Sequence, residues 1–353
     1  MFQPQFVDSS RSRRKILRVL TYHPRDDCSV LSEPIPRKRF RRPQANIVHF
    51  NPPSTFGTLG DLNALPIELL NEILRYSDLY TNFMFSLLNR QARTIVHASF
   101  PYKHLWRHAP RALVALIRTG ASHFTVDEVF QTFCSPSCHI CGNFGSFLWI
   151  PECIRCCFVC LRKAPKLMPM GESRARAVFG LTKKSLAKVP IVTTLPGTYS
   201  PFNKYYKMRR HFLSRASALQ VATMTHGGKQ GLAKHMESKM SHAEATFERR
   251  HAPTGTVDHI TRFMVTIPFP YFDPISRTTH IGLACKGCKR VFESEKALTL
   301  TEEKYDALGD RRDRTYNEMG FFEHLEHCRE AQRLWKAHQR IKQNVVIAGS
   351  KGK

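Results

Sequence analysis

Cysteine and histidine are the residues of this chain whose types and spacing could do chemistry. Ten of its eleven cysteines fall in two clusters, and both clusters contain C-x2-C steps. Two thiols separated by two residues can reach one ion from a single tight turn, so in a reducing compartment this spacing is a metal-ligand signature. At about 3% of the residues, cysteine is far too sparse for a disulfide scaffold.

The first cluster puts seven cysteines into residues 134–160. Cys138-x2-Cys141 is followed by Gly142, which permits the positive φ that a turn around thiolates often needs. Phe147 to Ile150 reads as a strand that Pro151 ends. Cys157-x2-Cys160 supplies a second pair, with 15 residues between the inner cysteines, the range of zinc ribbons. Four thiolates around one Zn(II) would close a tetrahedral structural site on Cys138, Cys141, Cys157 and Cys160. Cys153-x2-Cys156 is an equally spaced rival for the second pair, and Cys134 or Cys156 could be buried thiols. The fungal binuclear zinc cluster and the RING both need further ligands at positions where this chain has none.

The second cluster starts at Cys285-Lys286-Gly287-Cys288 and has no cysteine pair near it. Asn317 can cap a helix that contains Phe321, Leu325, His324 and Cys328. His324 and Cys328, four apart, share one helix face at a spacing that chelates well. Cys285, Cys288, His324 and Cys328 are therefore a second expected zinc site, with 35 residues inserted between Cys288 and His324. His327 points away and is expected at the surface. Catalysis is not expected of this chain. No GxSxG, P-loop or HExxH is present, and both sites would be saturated by protein ligands.

Helices and turns must position these residues. Pro66 is placed to start a helix to about Tyr76, with Leu65, Leu69, Leu70, Ile73 and Leu74 as a wide apolar stripe. Phe83, Met84, Leu87 and Leu88 form a second short stripe, and Ala92, Ile95 and Val96 a third. Three such pieces close only a small core, so part of their apolar surface needs a partner. Pro110 to Arg118 is another helix, stopped by Gly120. Thr125 and Glu128 make a capping box that opens a further helix through Phe133. In the middle of the chain Ile260 to Phe269 alternates as an edge strand, Lys204 to Gln220 mixes tyrosines with arginines, and Ser241 to Arg250 is a candidate helix.

Leu65-Pro66-x-Glu68-Leu69-Leu70-x-x-Ile73-Leu74, followed by two short helices and Leu105-Trp106-Arg107, resembles an F-box. Arg93 stands where that family often carries tryptophan. The wider order of CxxCG knuckle, RCCxxC return, PGTYS-like turn, CKGC knuckle and Phe-x2-His-x3-Cys helix, through Trp335, is similar to a group of fungal F-box proteins. The resemblance implies that Leu65, Pro66, Leu70 and Ile73 bind the Skp adaptor of cullin-RING ubiquitin ligases and that the remainder selects a substrate. It implies no named substrate.

The formal net charge is +26, with eleven Lys or Arg against four acids in residues 1–50. Such a field favours acidic or phosphorylated proteins, or nucleic acid, as partners. No run of eighteen apolar residues offers a membrane span, and no secretory signal opens the chain. Arg37-Lys38-Arg39-Phe40-Arg41-Arg42 resembles a nuclear-localisation patch, so the expected location is intracellular, in nucleus or cytoplasm. A short basic amphipathic piece runs from Arg11 to Leu20.

The expected fold is mainly α with small β. It comprises a disordered basic arm (1–58), a three-helix F-box (59–108), a helical stalk (109–133), a zinc ribbon-like module (134–164), a mixed basic α+β region (165–270), a second zinc module with a C-terminal helix (271–340) and a disordered tail (341–353). The expected function is that of a ubiquitin-ligase substrate receptor with two zinc ions. The alternative is a zinc-containing nucleic-acid binder.

Overall fold

The structure is a computed structural model and describes residues 10–23, 57–120, 123–187, 189–199, 204–239, 260–294 and 299–350. The basic cluster at 37–42, Cys28 and the candidate helix at 241–250 lie outside the described residues. The described chain is mainly helical with small sheets. No described helix is long and apolar enough to cross a membrane.

The expected disordered arm is folded between Ser10 and Tyr22. It forms α1 (Ser10–Leu20) and a two-residue strand, β1 (Thr21–Tyr22). The physical reason is the spacing of Ile16 and Leu20, four apart on a helix too short to stand alone. Both are buried against the C-terminal part of the chain, which supplies the missing apolar surface.

The three-helix unit follows as α2 (Ile67–Tyr76), α3 (Leu79–Ser86) and α4 (Arg90–Ala98). Pro66 sits at the N-cap of α2, while Asp78 and Asn89 cap α3 and α4 by accepting from Thr81 N–H and Ala92 N–H. Helices α5 (Phe100–His108), α6 (Pro110–Arg118) and α7 (Val126–Phe133) continue the unit. The Thr125 capping box forms with both of its hydrogen bonds. These helices do not extend as a stalk. α7 turns back onto α2, where Arg75 Nη2 lies 2.7 Å from Asp127 Oδ1 and Val126 N–H donates to Ser77 O. One apolar core therefore runs without a break from Leu70 through Phe133 to Trp149 and Phe272.

Strands β2 (Phe147–Trp149) and β3 (Ile154–Cys156) form a hairpin, and α8 (Phe158–Lys163) leaves it. The middle region has its own small core beneath β4 (Pro169–Gly171), α9 (Glu172–Phe179) and α10 (Lys183–Leu186), while Val192 of β5 (Val192–Thr193) joins the larger core. The hairpin of β6 (Gly197–Tyr199) and β7 (Lys204–Tyr206) precedes β8 (His211–Ser214), α11 (Arg215–Thr225) and α12 (Lys229–Lys239). The tyrosine- and arginine-rich stretch from Lys204 thus splits into two strands and a helix, because Phe212 and Leu213 enter the sheet of order β4-β8-β5.

The expected strand from Ile260 to Phe269 is half helix. α13 (Ile260–Met264) buries Phe263 and Met264, and only β9 (Thr266–Pro268) is extended. It lies at the edge of the sheet β3-β2-β9, as its proline requires. A hairpin of β10 (Tyr271–Asp273) and β11 (Thr278–His280) follows.

The last unit comprises β12 (Leu283–Cys285), α14 (Lys286–Phe292), α15 (Glu302–Asp313), β13 (Thr315–Tyr316), α16 (Glu318–His327) and α17 (Arg329–Ser350). The helix continues through residues expected as tail. β1 completes this unit by adding to the sheet β1-β12-β13. The unit meets the first cysteine module closely at Gly282, where an added Cβ would lie 2.6 Å from Ser146 Oγ and 2.7 Å from Thr315 Cβ.

Candidate metal centres

The first centre is built by a loop, a hairpin and a helix start. Around Cys138, Gly142 N–H donates to Cys138 O (2.9 Å), and Gly142 has the expected positive φ of 73°. His139 N–H donates to Arg155 O and ties this knuckle to β3. β3 ends at Cys156, and Cys157 becomes the N-cap of α8, which turns its sulfur back toward the knuckle. Cys160 follows in the first turn, and its N–H lies 3.4 Å from Cys157 Sγ.

The ligand atoms of Cys138, Cys141, Cys157 and Cys160 lie within 4.8 Å of one another. Cys141 Sγ and Cys157 Sγ are 3.7 Å apart. A tetrahedron with metal–sulfur bonds of about 2.3 Å has S···S edges of about 3.8 Å, so the cluster has the size of a four-thiolate metal site. Asn143 Nδ2 donates to Cys141 Sγ at 3.2 Å, the kind of outer contact that orients a ligand.

The three remaining cysteines of the cluster lie outside this group of four. Cys153 adopts a left-handed conformation (φ 51°) and faces Thr132 Oγ1 at 4.0 Å. Cys156 is buried on β3. Burial pushes the Cys153 thiol up to about 12 and the Cys134 thiol up to about 11. In both cases desolvation favours the neutral thiol.

The second centre gathers Cys285, Cys288, His324 and Cys328, also within 4.8 Å. Cys285 ends β12 and caps α14, Cys288 lies in its first turn, His324 projects from α16, and Cys328 caps the end of α16. Cys285 Sγ and Cys288 Sγ are each 3.9 Å from Cys328 Sγ, and Cys288 Sγ is 3.4 Å from His324 Nε2. His324 Nδ1 lies 3.1 Å from the Tyr316 hydroxyl. That contact leaves Nε2 as the ligand atom and fixes the ring. His327 is exposed and stays outside, as expected.

The thiols within each group influence one another's ionisation. Hydrogen bonds with Cys157 and Cys160 hold the Cys138 thiol far below its ordinary value, while the contact with Cys138 pushes Cys157 up to about 12. At the second centre Cys285 and Cys288 hold Cys328 down, and Cys288 is driven up by Cys285 and Cys328. Thiols this close cannot all ionise together unless a positive ion stands between them. Every described cysteine is free of disulfide.

Two features here have no signature in the sequence. Arg155 is 2% exposed and donates to five backbone carbonyls, those of Thr132, Phe133, Gly145, Phe269 and Pro270. It pins the hairpin of the first centre to α7 and to the segment after β9. Arg162 and Lys163, just beyond Cys160, pair with Asp306 and Asp310 of α15; the Arg162 contacts are 2.9 and 2.8 Å. The insertion between the ligands of the second centre is thereby fastened to the helix of the first.

The expected adaptor-binding residues divide. Leu70 is 6% exposed and, with Leu74, belongs to the core. Leu65 is half-buried and Pro66 exposed. Ile73 is 50% exposed, Leu69 one turn before it is 52% exposed, and Ile67 at the start of the helix is 47% exposed. The apolar stripe of α2 is thus two stripes, one inward and one uncovered. Tyr76, Tyr80, Met84 and Leu88 are also exposed large apolar residues of this unit. No protein-family model matches the sequence, and no curated protein and no solved structure matches the chain.

Proposed function

We propose that the chain is the substrate-recognition subunit of a Skp-cullin-F-box ubiquitin ligase, with the three-helix unit as the dock for the Skp adaptor. The observation that carries this reading is the uncovered apolar pair Leu69 and Ile73, four apart on one face of α2, with Ile67 also exposed in the first turn of the helix. A helix already packed by Leu70 and Leu74 gains nothing in isolation by exposing further large aliphatic residues on another face, and such exposure is a usual mark of a protein interface. The continuous core from α2 to the first centre holds the dock in fixed relation to the metal-stapled half of the chain, which carries the target.

Zinc is the ion this reading assigns to both centres. A set of four cysteines and a set of three cysteines with one histidine, each at tetrahedral spacing, suit it, and each set leaves no position open for water. The ions act as structural staples, and the chain transforms nothing itself. It raises the local concentration of a target beside the ligase.

The test is binding of the full chain to purified Skp adaptor, compared with an Ile67→Ala, Leu69→Ala, Ile73→Ala variant. The wild type should bind and the variant should lose at least tenfold in affinity, a loss of about 1.4 kcal/mol or more. Absence of binding by the wild type overturns the adaptor reading. Metal analysis showing no zinc in protein purified without chelator overturns the zinc assignment.

A further inference from the structure

Charge is segregated around the second centre. α1 carries five Lys or Arg and no acid. On α17, Arg329, Arg333, Lys336 and Arg340 recur at intervals of four, three and four, which places them on one face of the helix. All four are exposed, and the other exposed position from Arg329 to Arg340 is Ala337. Glu330 is the one acid of that span, and Arg290 and Arg333 pair with it. Among the described residues, the remaining acids of the unit lie on α15 and α16, apart from Glu293 at the end of α14.

The basic helices adjoin one another. α1 packs along α17, with Lys15 Nζ 5.9 Å from the centre of the Trp335 ring. α14 joins them, because Lys286 Nζ donates to Val19 O at 3.0 Å and Arg290 reaches Glu330. Arg11, Arg14 and Arg18 share one exposed face of α1, and Arg13 and Lys15 are exposed as well.

On α1, and on α17 as far as Arg340, the buried apolar residues pack into one core. Ile16, Leu20, Ala331 and Trp335 are buried in one core with Cys285, Cys288 and Cys328. Among the described side chains up to Arg340, neither helix keeps an apolar face free to enter a bilayer as an interfacial membrane helix does. Nor does the stripe offer the apolar centre of a protein–protein interface. A polar, strongly positive surface is instead what nucleic acid meets. The eleven residue steps from Arg329 to Arg340 span about 16 Å at 1.5 Å per residue. A duplex strand presents a phosphate about every 3.4 Å, so about five phosphates lie along that length.

We propose that the basic face of α17, extended by docked α1, binds the phosphate backbone of a nucleic-acid duplex without reading its bases. This surface lies outside the three-helix dock, and the proposal does not rest on adaptor binding.

The test uses the metal-loaded full chain and three fluorescent probes: a DNA duplex of about 20 base pairs, the matching RNA duplex, and polyglutamate as an acidic polypeptide. At least one duplex should bind, with affinity falling steeply as salt rises. The variant Arg329→Gln, Arg333→Gln, Lys336→Gln, Arg340→Gln keeps helix-forming residues at exposed positions. It should bind about tenfold or more weakly near 100 mM salt and flatten the log–log salt slope by about 3 to 4. Arg11→Gln, Arg14→Gln, Arg18→Gln should weaken binding in the same sense, and lysine at all three arginine positions of the α17 stripe should preserve it. Absence of duplex binding at about 50 mM salt overturns the proposal. So does binding that the α17 variant leaves unchanged. Polyglutamate bound as tightly as either duplex overturns it in favour of an acidic protein.

Discussion

Thr21 lies opposite Cys285 in antiparallel register, so the arm strand is the sheet partner of a metal-ligand candidate. His23 Nδ1, 3.2 Å from Gly282 O, and Lys286 Nζ, bonded to Val19 O, hold the same junction. Removing metal from the second centre should therefore release the arm. Amide exchange at Thr21 and Tyr22 is expected to quicken on chelation and to slow again when zinc is restored. Ile16→Ala, which empties a buried site, should cost about 2–4 kcal/mol in the stability of this unit by denaturant titration.

Metal stoichiometry separates the ligands from the buried thiols. Cys160→Ser and Cys328→Ser should each lower bound zinc from two ions to one. Cys134→Ser and Cys153→Ser should leave two, since these side chains lie outside the cluster. Elemental analysis of the purified variants reads the difference. A count of one in Cys153→Ser protein would return that cysteine to the ligand set.

Arg155 provides the sharpest stability test. It is a buried cation solvated by carbonyl oxygens, with Nη1 2.7 Å from Gly145 O and 2.8 Å from Phe269 O. Burial lowers its guanidinium to about 10, so it stays charged at neutral pH. Arg155→Met fills much of the volume but leaves those carbonyls without donors. The expected loss is about 3 kcal/mol or more in thermal or chemical unfolding. Arg155→Lys should rescue little, because one ammonium cannot reach carbonyls spread around a planar fork.

His97 sets a pH dependence. Burial, then the charge of Arg93, lowers its affinity for a proton in the fold. Its ring meets Tyr102 and Trp106 edge-on, with centroids 5.4 and 5.1 Å away. Below about 6.5 the unfolded chain takes up a proton that the folded chain refuses, so this contribution to stability is full above that value and declines as pH falls toward the folded pKa. His97→Phe should flatten the dependence of melting temperature on pH between about 6.5 and 5. Because acid also releases zinc, both proteins are to be compared at each pH with metal content measured.

The two groups of residues that could hold metal were legible because C-x2-C and His-x3-Cys spacings bring donors together locally. So were the Thr125 capping box, Gly142 and the Asn317 cap. What stayed hidden depends on distant partners. Ile16 and Leu20 give only two apolar contacts in a basic arm, and the surface that completes them belongs to the far end of the chain, from Cys285 to Trp335. Leu69 and Leu70 are chemically alike, and only the return of α7 onto α2 decides which is covered. Arg155 finds its carbonyls at positions 132, 145 and 269, and no spacing encodes that. The strand expected from Ile260 failed for a related reason: burial of Phe263 and Met264 on several sides favours a helical turn over an alternating edge.

The contact of Arg162 and Lys163 with Asp306 and Asp310 changes the meaning of the 35-residue insertion. An ion held by Cys285 and Cys288 must close a ring to reach His324, and closing a long free ring carries a large entropy cost. Here the ring is folded back at its middle, because α15 is moored to the helix that carries Cys160. Capture of His324 then requires ordering two short spans in place of one long one. Assembly of the first centre is thus a head start for the second.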